Sequence, residues 1–134
     1  MSKEQFEKFF ANTDSYKLFR DLPKFKSTDA LLNLVLKYAG KFNILSSPNR
    51  YNTKASIKGK REWLKNNITV PINKIIFDHE KYKYATQKNG TPNILIDDFS
   101  HNTRLWKKQG GIAIKYQADE DSLDKVEHLL KKIY

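Results

Sequence analysis

The chain has 134 residues, 39% of them apolar and 30% charged, enough for one domain with a buried core. It contains no cysteine, which excludes a disulfide framework, a thiolate nucleophile and a thiolate metal site. Its net charge of +10 is uneven: residues 1–67 hold 14 Lys/Arg against 6 Asp/Glu, and residues 68–134 hold 11 against 9. No apolar run reaches membrane-spanning length, and the start MSKEQFEKFF places charges where a signal peptide needs an apolar core. A cytoplasmic protein is predicted.

Phe6, Phe9 and Phe10 recur at helical spacing and predict a short amphipathic helix over 3–11. The segment YKLFRDLPKF reads as a loop broken by Pro23 and anchored by Leu18, Phe19 and Leu22. Ser27, Thr28 and Asp29 offer caps for a helix over 29–39, ended by Gly40; its run ALLNLVLKYA is apolar nearly all round and predicts burial. A strand over 42–45 then runs into Ser46-Ser47-Pro48.

The densest basic run follows, with Arg50, Lys54, Lys58, Lys60, Arg61 and Lys65 opposed only by Glu62. It falls on a predicted helix over 56–66 whose inward contacts are Trp63 and Leu64. Such a patch attracts phosphate on a nucleotide, a nucleic acid or an anionic surface, and Arg50, Lys58, Lys60 and Arg61 are the candidate contacts. A solvated lysine-rich helix face is the competing reading.

Beyond Pro71, Ile75-Ile76-Phe77 predicts a strand leading into DHEKYKYA, and Asn89-Gly90 marks a turn. Ile94-Leu95-Ile96 forms the next strand and ends in Asp97 and Asp98; a cap-like Ser100, a helix over 101–108 with Leu105 and Trp106, and Gly110-Gly111 follow. A strand over 112–115 and a helix over 121–133, apolar at Leu123, Val126, Leu129, Leu130 and Ile133, complete the chain. The order of elements predicts a three-layer α/β domain on a parallel sheet.

In such a sheet the residues after each strand share one edge, where open α/β folds bind ligands. Hydroxyls at Ser46 and Ser47 can hold phosphate oxygens, a lysine in the 79–83 segment can balance their charge, and Asp97 with Asp98 can hold Mg²⁺. Capping of the next helix is the competing reading for either aspartate, and the case for function is stronger at Asp97. Asp119-Glu120-Asp121 is a D-x-D sequence, but its place before an amphipathic helix favours capping. His79, His101 and His128 lack metal-ligand spacing.

The sequence ILSSP, the basic helix ending KREWL, then IIFDHEK, ILIDDF and WKKQGGIAIKY resemble the haloacid-dehalogenase-type phosphohydrolases, and within them the 5′(3′)-deoxyribonucleotidases. The resemblance covers roughly residues 16–134 and implies a single domain, with 1–26 the remnant of a cap segment and 27–134 a Rossmannoid core. It implies that Ser46, with Ser47 beside it, takes the phosphate-binding hydroxyl position, that Lys81 is the phosphate lysine with Lys83 as runner-up, and that Asp97 and its neighbour Asp98 bind Mg²⁺. It also places Lys60 and Trp63 near the site.

One departure outweighs these matches. In the family an N-terminal strand ends in D-x-D-x-T/V, which supplies the nucleophile and the general acid/base. Nothing before Phe42 reads as such a strand, so no catalytic residue is assigned. The expectation is a nucleotide-phosphatase-type domain that keeps phosphate and Mg²⁺ positions, inactive by itself, with its nucleophile supplied by a second chain or missing through truncation; a non-catalytic module binding nucleic acid or protein is the alternative. Loss of that central strand predicts either direct pairing of the strands at 42–45 and 94–96 or insertion of a foreign strand. Direct pairing needs no partner and is the preferred expectation.

Overall fold

Four short apolar runs, each ending its strand near a polar or charged residue, build the framework that positions the site. The computed structural model describes Lys17, residues 20–50 and residues 52–134. The expected helix over 3–11, and the anchors Leu18 and Phe19, lie outside the described residues. The elements are α1 (Thr28–Ala39), β1 (Asn43–Ser46), α2 (Thr53–Asn67), β2 (Lys74–Phe77), a 3₁₀ turn (Lys81–Tyr84), β3 (Ile94–Asp97), α3 (Ser100–Lys108), β4 (Ile112–Lys115) and α4 (Leu123–Ile133).

β1 pairs with β2 in parallel, with Ile44 opposite Ile75 and Ser46 opposite Phe77. β3 pairs with β4, also in parallel, with Leu95 opposite Ala113 and Asp97 opposite Lys115. Parallel neighbours need a crossover, and the chain supplies one through α2 for the first pair and through α3 for the second. The architecture is therefore α/β. The two pairs are separate two-stranded sheets, and no ladder joins β1 to β3 among the described residues. The expected direct pairing is thus corrected. Leu45 of β1 packs against the cluster of Ala85, Leu95 and Trp106.

The chain divides into two compact units. One comprises Phe25–Ser46 with Ile72–Tyr134, and the other the described residues through Lys24 with Ser47–Pro71. The first holds both strand pairs. Its main core is Ile114, Tyr116, Val126 and Leu130, with Leu31, Leu34, Ile94 and Ile96 packed on it. Each fully buried aliphatic side chain here contributes about 1.5–3 kcal/mol of transfer free energy.

α1 begins and ends as its sequence suggests: Gly40 adopts φ 79°, and its N–H reaches the Leu36 carbonyl. The expectation that α1 is buried is corrected, because none of its residues is fully buried. Leu31, Leu34 and Tyr38 form one stripe against the core, and the remaining apolar positions, including Leu32, Val35 and Leu36, stay partly exposed. Ser27 stands at the N-cap without a capping bond; its Oγ accepts the Tyr116 hydroxyl instead. Leu22, expected as an anchor, is 46% exposed.

In the second unit α2 starts three residues before the predicted helix. The Trp63 indole N–H donates to the Leu22 carbonyl at 2.8 Å, and Lys24 Nζ donates to the Asn67 carbonyl at 2.6 Å. These two bonds tie the 22–24 backbone to the last turns of the helix. Two caps also differ from the sequence reading. Phe99, not Ser100, is the residue before α3. Ser122 caps α4 by accepting the Asp124 N–H, while Asp121 accepts the Gln117 N–H and pairs with Lys125.

Candidate functional site

Asp97 is the last residue of β3, and its backbone carbonyl accepts the Tyr116 N–H at 3.0 Å. This bond fixes the main chain and leaves the carboxylate to the strand end. Oδ1 accepts the Phe99 N–H at 2.9 Å. Oδ2 accepts Lys81 Nζ at 2.8 Å and the Asn102 side-chain amide at 3.2 Å. The carboxylate thus takes the place of a helix cap and at the same time collects a cation.

Lys81 reaches this point because its 3₁₀ turn is clamped to the base of β3. Asn93 is the clamp: its N–H donates to the Ala85 carbonyl and its side-chain amide to the Tyr84 carbonyl, both at 2.8 Å. The Asn93 carbonyl in turn accepts the Trp106 indole N–H and the Ile112 N–H, each at 3.0 Å. The KYK spacing leaves two lysines open, and this turn distinguishes them. Lys81 faces Asp97, whereas Lys83 is exposed and pairs with Glu80 at 3.1 Å.

The electrostatics of the two aspartates diverge. Burial pushes the Asp97 carboxyl up, but Lys81, the Phe99 N–H and Asn102 more than offset it, so its pKa lies below the ordinary value. Asp98 is exposed, yet partial desolvation and then the adjacent Asp97 charge hold its pKa above the ordinary value. A cation bridging the pair would relieve that repulsion.

Mg²⁺ is commonly held by one or two carboxylates together with phosphate oxygens and water. Each carboxylate oxygen carries two lone pairs, so one remains on Asp97 Oδ1 beside the Phe99 bond, and Asp98 offers a second carboxylate. Among the described residues no group of three or more His, Cys, Asp and Glu gathers to complete a cation shell. A Mg²⁺ ion here would draw only Asp97 and Asp98 from these side chains, with phosphate oxygens and water to complete its shell.

Ser46 ends β1 as Asp97 ends β3, and its carbonyl accepts the Asp78 N–H at 3.0 Å. The Asp78 carboxylate is held by the Glu80 N–H and the Tyr84 hydroxyl, which lower its pKa. Ser47 belongs to the other unit, where its carbonyl accepts Lys60 Nζ at 2.5 Å. Lys60, one of the candidate nucleotide contacts, is thus held to its own chain by this bond. Lys58, Arg61 and Arg50 are exposed.

Two residues of the site escaped the sequence reading. Asn102 sits five positions after Asp97, on the first turn of α3, and the D-D-x-x-x-N spacing is the signal that points to it. Asn93 carried no signal, since an asparagine before a strand is an ordinary turn residue. No protein-family model matches this chain, and neither a curated protein nor a solved structure matches it.

Proposed function

We propose that this chain is a phosphohydrolase-type domain of the haloacid-dehalogenase kind, carrying the lysine and acidic half of a nucleotide-phosphatase site and lacking its nucleophile. The observation that carries the reading is the Lys81–Asp97 ion pair at the C-terminal end of β3, braced by Asn102. In this reading Lys81 holds a phosphate oxygen, Ser46 supplies a hydroxyl, and Asp97 with Asp98 would hold Mg²⁺. When bound, the ion would neutralise charge developing on the phosphoryl group.

The nucleophile comes from a strand of another chain entering between β1 and β3. Support for that partner is the separation of the two parallel pairs, which among the described residues leaves an edge of β1 and an edge of β3 outside any ladder. The domain by itself binds phosphate without turning it over.

Calorimetric titration with a deoxynucleoside monophosphate tests the reading. Saturable binding that requires Mg²⁺ is expected, and Lys81→Met weakens it about 10-fold or more, the scale of a lost charge-assisted hydrogen bond. Ser46→Ala should weaken it less. Absence of any Mg²⁺-dependent binding in a chain shown to be folded by circular dichroism would contradict the reading.

A further inference from the structure

Four cations of α2, Lys54, Lys58, Arg61 and Lys65, recur at positions i, i+4, i+7 and i+11, and all four are exposed. At 100° per residue they fall within an arc of about 60°, and they extend over about 16 Å of helix axis. Arg50, also exposed, precedes the helix on the N-terminal side. The opposite side of α2 is committed to packing: Ser56, Gly59 and Leu64 are buried, and Lys60 donates to the Ser47 carbonyl. The sole acidic residue of the helix, Glu62, lies off the stripe and is partly buried.

From this arrangement we infer that the outer face of α2 is a docking surface for the phosphate backbone of a nucleic-acid strand. A single phosphate is held by donors that converge on it, whereas these cations stand in a row and match a row of anions. Stable membrane attachment of a helix requires an apolar face to enter the lipid, and the apolar face of α2 is occupied by its own fold. A protein partner would be anchored by exposed aromatic or aliphatic residues, and the stripe positions carry none. The contact is sequence-independent, because lysines on a solvated face reach phosphates and not base edges. This inference is independent of the phosphohydrolase reading.

The test is fluorescence anisotropy of the whole chain with a labelled 20-nucleotide single strand of mixed sequence. Four phosphate contacts predict an affinity loss of about 50-fold between 50 and 200 mM salt. The variant Lys54→Gln/Lys58→Gln/Arg61→Gln/Lys65→Gln should lose at least about 10-fold in affinity at 50 mM salt, with a shallow salt dependence. A variant of equal charge change on other exposed lysines, Lys107→Gln/Lys108→Gln/Lys131→Gln/Lys132→Gln, should retain both affinity and slope. Circular dichroism establishes that both variants are folded. Equal losses in the two variants would overturn the proposal in favour of general charge attraction. Binding to phosphatidylserine vesicles without binding to the oligonucleotide would overturn it in favour of a membrane surface.

Discussion

Lys81 Nζ lies 2.8 Å from Asp97 Oδ2, and the two side chains retain only 13% and 6% exposure. Sixteen residues separate them in sequence, so the contact is a product of the fold and not of local propensity. Asn93 sets the 3₁₀ turn against β3, and Asn102 and the Phe99 N–H take two more acceptor directions of the carboxylate, leaving one on Oδ1.

Removing one member of this pair leaves the other charge poorly solvated. Asp97→Ala should therefore destabilise the chain by about 3 kcal/mol, and Lys81→Met by a similar or smaller amount. In the double variant Lys81→Met/Asp97→Ala the loss should fall short of the sum of the single losses by about 1 kcal/mol or more. Urea unfolding followed by circular dichroism measures each value, and simple additivity would contradict direct coupling.

The pH dependence follows from the opposite shifts of the two aspartates. The folded-state pKa of Asp97 is lowered, so its contribution is present above the unfolded value of about 3.9 and is lost as pH falls through the folded value. Asp98 is raised, so its ionisation disfavours the folded state above the unfolded value. Asp98→Asn should raise stability at neutral pH, and Asp97→Asn should flatten the acid limb of the stability profile. Denaturation midpoints measured between pH 2 and 7 for the three proteins check both signs.

Gly111 sets a steric condition on the same framework. A Cβ at this position would collide with the Trp106 indole and lie 2.9 Å from the Ala85 carbonyl oxygen. Gly111→Ala should displace Trp106, which is 3% exposed and bonds Asn93, at a cost of about 1–3 kcal/mol. A red-shifted tryptophan emission together with a lower urea midpoint is expected. Unchanged emission would show that the indole does not pack there.

Much of the secondary structure was legible because local chemistry dictates it. Gly40 and the Gly110-Gly111 pair stop their helices where the chain needs positive φ or close packing, and each apolar run became a strand within a residue or two of its expected bounds. The aspartates at the end of β3 were legible for the same reason. The choice between Lys81 and Lys83 was not, since two residues of spacing decide nothing until the 3₁₀ turn directs one inward. Ser100 looked like a cap, but the Asp97 carboxylate already accepts the Phe99 N–H and takes over that role. The apolar circumference of α1 suggested full burial; composition reports what a helix can bury, and the fold supplies a partner for only one stripe. The separation of β1 from β3 was beyond the sequence, because which strands share a ladder is set by tertiary packing and not by the residues of either strand alone.

The half phosphohydrolase site proposed for this chain is tested most directly by phosphate release. With Mg²⁺ present, the purified chain should hydrolyse neither a deoxynucleoside monophosphate nor p-nitrophenyl phosphate above background. Addition of a strand-forming peptide ending in D-x-D-x-T should produce turnover that Asp97→Asn abolishes. Turnover by the chain alone that disappears with Asp97→Asn and Ser46→Ala would contradict the account, because the chain would then hold a nucleophile of its own.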